Sequence, residues 1–134
     1  MYNSNYSLSQ DITSHQWENR ILIISMHDSK ADLFNSQLDL LKEKEAALKE
    51  RKLIIYQIKG DKYRVGVSSE EEWRKIVHQD LHKIKQKDSR FEVILIGLDG
   101  GIKLRQNSII LEEDLFALID GMPMRIRELK NKKN

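Results

Sequence analysis

Hydrophobic positions along this chain fall into two patterns: short unbroken apolar runs, and longer stretches with apolar residues three or four apart. Ile21 to Ser25, Leu53 to Ile58 and Phe91 to Ile96 are of the first kind. Runs of that length, rich in Ile, Leu and Val, predict strands buried on both faces of a sheet. Between the first two, Phe34, Leu38, Leu41 and Leu48 stand at i, i+4, i+7 and i+14. That spacing predicts one amphipathic helix, with Lys42, Glu43, Lys44, Glu45, Lys49 and Glu50 on its wet side. Two heptads are too few for a coiled coil. Tyr63 to Val67 has no clear period and reads as loop. Ser69 with Glu72 three residues on then offers a capping box. Trp73, Ile76, Val77, Leu81 and Ile84 follow as an apolar stripe, which predicts a second helix reaching about Lys87.

After Phe91 to Ile96 the chain turns at Leu98-Asp99-Gly100-Gly101. Asp-Gly and Gly-Gly steps supply the positive φ angles of a tight hairpin, so Ile102 to Arg105 is expected to return antiparallel. Leu111, Leu115, Leu118, Ile119 and Met122 make the stripe of a last helix. Glu112, Glu113 and Asp114 favour its amino terminus through the helix dipole, and Gly121 with Pro123 ends it. Arg125 to Asn134 reads as basic tail. The order is then β-α-β-α-β-β-α. A βαβ step requires a parallel crossover, and the closing hairpin adds antiparallel strands. The expected fold is α/β, a thioredoxin-like three-layer sandwich with a mixed four-stranded sheet and helices on both faces. Residues 1–14 are expected as a flexible tail, 15–128 as the domain and 129–134 as a basic tail.

Composition narrows the function. A chain of 134 residues, 40% hydrophobic and 33% charged, matches one globular domain with a heavily ionised surface. A net charge of +2 does not by itself call for nucleic acid or a membrane surface. The absence of cysteine excludes disulfides, thiolate metal sites and thiol-based catalysis. No apolar run approaches the ~18 residues of a membrane span. The first 14 residues, MYNSNYSLSQDITS, lack the charged start and apolar middle of a signal peptide.

Three phrases go beyond pattern: Trp17-Glu18-Asn19-Arg20 running into a strand, Asp99-Gly100-Gly101-Ile102-Lys103-Leu104-Arg105, and Leu115 to Arg125 with its closing Gly-Met-Pro-Met-Arg. Over residues 15 to 128 the chain resembles a domain-of-unknown-function family found in bacteria and in vertebrate extracellular sushi-repeat-containing proteins. The resemblance implies a thioredoxin-like domain related to peroxiredoxins, often exported to the periplasm or secreted, with no established activity. Where that family tends toward consecutive arginines, Ile126 separates Arg125 from Arg127 here.

Candidate chemistry is sparse. In a thioredoxin-like domain the redox pair follows the first strand, where this chain has Ser25 to Lys30, and no residue there performs thiol–disulfide exchange. His27, Asp28 and Ser29 are a candidate binding loop. They do not form a hydrolase triad, since such groups are assembled in space rather than side by side on one loop. His78 and His82 have metal-gripping spacing but no evident third ligand, and they read as surface histidines. Trp17 and Trp73 read as core and rim. Arg105, Arg125, Arg127 and Lys103 would form an anion site if the last helix packed beside the hairpin, because arginine forks suit carboxylate and phosphate. The competing reading is that they merely complement a helix carboxyl end. No catalytic residue, cofactor motif or metal set is read. The leading expectation is a non-catalytic binding module for a protein or small anionic ligand, with nucleic acid disfavoured. The alternatives are an enzyme using His27 as acid–base beside the arginines, and a structural domain that pairs through an edge strand or apolar patch.

Overall fold

The apolar run of the first strand decides the architecture. In the computed structural model, which describes residues 12–27, 31–77, 79–84 and 90–133, this strand, β1 (Arg20–Met26), is buried along its whole length. A strand with both faces apolar needs cover on both sides. Leu22, Ile24 and Met26 project into one core and Ile21 and Ile23 into the other.

β1 pairs in parallel with β2 (Leu53–Lys59). The connection is made by α1 (Ala31–Leu41) and α2 (Glu45–Glu50), where one helix was expected. The chain breaks at residues 42–44, yet Leu41 and Leu48 both reach the first core. Their seven-residue spacing survives the break, which is why the periodicity does not reveal it. β1 pairs antiparallel on its other side with β5 (Phe91–Ile96), and β5 with β6 (Ile102–Gln106). The expected hairpin is therefore present, with Gly100 at φ 85 in its turn.

Among the described residues the sheet has six strands, not four; with β3 at Lys62–Val65 and β4 at Arg74–Lys75 their order is β4-β3-β2-β1-β5-β6. The expected loop at Tyr63 to Val67 contributes β3 (Lys62–Val65), antiparallel to β2. The helix expected from Ser69 does not begin there. Instead β4 (Arg74–Lys75) pairs with β3, and α3 covers only Gln79–Ile84. The physical reason lies in the supposed stripe. Trp73 packs against the first core, Ile76 and Leu81 belong to the second, and Val77 is exposed. No single helix face could serve both sides of a sheet. Arg64 organises this segment. It donates to the carbonyls of Ser69 and Glu71, bonds Gln57 Oε1 at 2.7 Å, and lies 4.1 Å from the centroid of the Trp73 ring.

Beyond the hairpin, α4 (Glu112–Asp120) buries Leu115 and Ile119 in the first core, while Leu111 and Leu118 stay exposed. Gly121 ends it. The stretch expected as a basic tail is helical: α5 (Pro123–Lys133) begins with proline, whose missing N–H is no loss at a first helical position. α1, α2 and α4 thus pack against one face of the sheet, α3 and the 3-10 turn Ile12–His15 against the other. Asp28, Ser29 and His78 lie outside the described residues.

Candidate functional site

The three phrases of the resemblance converge at one end of the sheet. Ile21 of β1 is in register with Ile96 of β5, so the start of β1 lies beside the 97–101 turn. The segment before β1 is pinned to that turn. Gln16 Nε2 donates to the Asp99 carbonyl at 2.9 Å, and the Trp17 amide donates to the Leu98 carbonyl at 2.6 Å. Trp17 adopts φ 72 there, a left-handed conformation uncommon for a bulky residue, and is 60% exposed.

Beneath this surface runs a network of three arginines and three carboxylates. Arg20, 1% exposed, donates through Nη2 to Glu128 Oε2 at 3.0 Å and through Nη1 to the Arg51 carbonyl at 2.8 Å. Arg51 grips Asp120 with two bonds of 3.1 and 2.9 Å and lies 4.3 Å from the Phe116 ring centroid. Arg125, 2% exposed, donates to Asp120 Oδ1 at 3.0 Å, Glu50 Oε2 at 2.9 Å, the Glu50 carbonyl at 3.2 Å and Glu128 Oε1 at 3.4 Å. Burial pushes the Asp120 carboxyl up, but the Arg51 and Arg125 hydrogen bonds outweigh it and hold the group below the ordinary range. Glu50 is lowered by the hydrogen bond from Arg125 and then by the charge of Lys132.

A pH dependence follows from these depressed carboxylates. Their stabilisation is fully present above the unfolded-state values of about 4 and is lost as pH falls through the lower folded-state values. The urea midpoint should hold near neutrality and decline progressively below about pH 4. Asp120→Asn should flatten that decline. An equally steep fall in the variant would remove Asp120 from the explanation.

The network determines where the expected anion residues stand. Arg125 is engaged by three carboxylates. Arg105 on β6 bonds Glu92 Oε2 and the Ile84 carbonyl, both at 2.8 Å, on the α3 side of the sheet. These two are not brought together. Lys103 bonds Asp99 Oδ2 at 3.0 Å, and Arg127 is exposed on α5. His27, also exposed, lies seven residues from Arg20 along β1, roughly 20 Å away at about 3.3 Å per residue. Its amide donates to the Arg90 carbonyl.

Lys103 and Arg127 instead border two adjoining hollows. One, of about 300 Å³, lies between the 97–99 turn with Lys103 and the Met122-Pro123-Met124 start of α5, and Arg20 completes its lining. The other, of about 180 Å³, shares Leu98 and Met124 with it and adds Trp17, Lys52 and Arg127. Among the described residues, Arg20 Nε is the buried side-chain polar atom left without a hydrogen-bond partner. A larger groove of about 410 Å³ runs between α2 and the β2–β3 edge, but its lining contains no such orphaned donor. Arg20, Met122 and Met124 fall within the phrases that carry the resemblance, but nothing in the sequence marks them as residues that line one cavity.

The family model for the Domain of unknown function (DUF4174) matches residues 11–128. The chain belongs to this family. The DUF4174 match ends at Glu128, so it contains both partners of the Arg20–Glu128 pair and the whole lining of the 300 Å³ cavity. No curated protein and no solved structure matches the chain. Among the described residues no helix is long and apolar enough to cross a membrane, and no three metal-capable side chains come together.

Proposed function

We propose that this domain is a non-catalytic binding module on a thioredoxin-like scaffold, holding a small molecule between the 97–99 turn and the start of α5. The scaffold reading is supported by four contiguous strands, β2-β1-β5-β6, in which only β5 runs against the others. Placement of α1 and α4 on one face and α3 on the other supports it too. The chain has no cysteine with which to run that fold's thiol chemistry.

One observation carries the binding reading. Arg20 lines this partly open cavity, its Nε has no acceptor, and a buried donor without one carries a desolvation cost. Cavities of this size lie at the low end of small-molecule sites. A fragment library screened by amide NMR tests it. Bound fragments should shift residues 97–103 and 122–124, and Met124→Trp should abolish those shifts while keeping the melting temperature. Hits clustered at His27, or fragments chemically altered by the protein, would refute the reading.

A further inference from the structure

We infer that the groove between α2 and the start of β2 receives an extended, acidic segment of a partner protein, added to β2 as one more strand. This site is separate from the cavity beside the 97–99 turn.

Two hydrogen bonds fix which way the backbone of β2 faces. The Arg20 amide donates to the Lys52 carbonyl, so the even-numbered residues of β2 bond to β1. The Gly66 amide donates to the Ile55 carbonyl, so the odd-numbered residues face β3. β3, however, pairs only with Tyr56 to Lys59. Gly66, at φ 101, turns the chain out of the ladder, and its carbonyl accepts from Gln57 Nε2 at 2.7 Å. Among the described residues, the amides of Leu53 and Ile55 and the Leu53 carbonyl are left without a protein partner. A row of unpaired main-chain groups is what an added strand satisfies.

The groove, of about 410 Å³, follows that edge. Its lining includes Leu53 and Ile55, whose side chains enter the first core, together with Ile54, which packs on the second. Only the edge of a strand borders both of its faces. Leu48, Val65 and Val67 add apolar surface beside it, and Val65 is 39% exposed. An extended segment points alternate side chains to opposite faces, so every second residue of the partner can rest on this surface.

Charge selects the partner. Glu45, Lys49 and Lys52 are the ionisable groups of the lining, and among the described residues none of them forms an ion pair, which leaves one positive charge in excess. The hollow that shares Lys52 adds Arg127, while its carboxylate, Glu128, is taken by Arg20 and Arg125. Acidic residues alternating with apolar ones complement both features.

Hydrogen exchange of the 15N-labelled protein, alone and with blocked heptapeptides, tests this. In the free protein the Ile54 and Tyr56 amides should be protected while Ile55 between them exchanges quickly. A heptapeptide of alternating Glu and Val should slow the Leu53 and Ile55 amides at least about tenfold at saturation. Two adjacent prolines at its centre, which remove a donor from either edge, should abolish the effect. The Lys and Val counterpart should bind about fivefold more weakly, and Lys49→Glu should reverse that preference. An Ile55 amide already protected in the free protein would overturn the proposal, as would protection by none of the peptides or by the proline peptide equally. Equal binding of the acidic and basic peptides would overturn the acidic assignment. Protection that rises with protein concentration alone would give the edge to a second copy and overturn the partner segment.

Discussion

Arg125→Ala is expected to destabilise the domain by about 3 kcal/mol, read as a lower urea midpoint at an unchanged slope. The guanidinium is almost wholly buried and ties α5 to the end of α4 through Asp120, to α2 through Glu50 and to its own next turn through Glu128. Its own burial works against the charge, yet the hydrogen bonds it donates to Asp120, Glu50 and Glu128 hold its pKa above the ordinary arginine value. Removing it leaves Asp120 with Arg51 and Glu128 with Arg20, but strips the Glu50 carboxylate and carbonyl of the fork that ties α5 to α2. The loss stays near the lower end of the range of about 3–5 kcal/mol for broken buried pairs, because Glu50 and Asp120 keep access to water. Arg125→Lys should recover little, since a point charge cannot reproduce a fork that donates in several directions at once. Arg127→Ala, two residues along the same helix but exposed, should stay within about 0.5 kcal/mol. If the two alanine variants prove equally stable, the network is an ornament of the surface rather than a clamp.

Gln37→Leu should cost about 2–4 kcal/mol although it places an apolar residue of similar size in an apolar setting. Gln37 is fully buried on α1. Its Nε2 donates to the Ile110 carbonyl at 2.9 Å, and its Oε1 accepts from the Ile110 amide at 2.8 Å. The side-chain amide thereby satisfies both backbone groups of a residue that has no strand partner. Leucine would strand a buried N–H and a buried C=O together, each costing about 1–3 kcal/mol. Hydrogen exchange should show the effect locally, with the Ile110 amide losing protection before the central strands do. A Gln37→Leu protein as stable as the parent would mean that water reaches Ile110 and the pair contributes nothing.

These two contacts mark where sequence reading stopped. The three buried strands and the hairpin were legible because unbroken apolar runs and the Asp-Gly-Gly step are local signals. The α1–α2 break was hidden by a heptad spacing that it preserves. β3 escaped notice because it is only four residues long and its burial does not follow the alternation of Lys62-Tyr63-Arg64-Val65: Tyr63 and Arg64 are buried together while Val65 is exposed. The segment at 73–84 misled because residues serving opposite faces of the sheet happen to fall at helical intervals. The site was less legible still. Arg125 read as a candidate anion-binding cation, since its partner Glu50 lies 75 residues away in the chain. Arg20 matters through one atom that lacks a partner, a property visible only once its surroundings exist.

The order of the strands also governs how copies of the domain meet. One border of the sheet is β4, two residues long, and both of them, Arg74 and Lys75, are exposed cations. At the other border β6 carries Lys103 and Arg105. An approach that joins β4 of one molecule to β4 of the next sets Arg74 and Lys75 against the same two cations, whereas on β6 Lys103 is paired with Asp99 and Arg105 with Glu92. Such repulsion acts over about 10 Å at 0.1 M salt and shrinks to about 3 Å at 1 M. Growth through paired β4 edges is therefore opposed by charge in dilute buffer, and concentrated salt is the condition under which that guard is lowered.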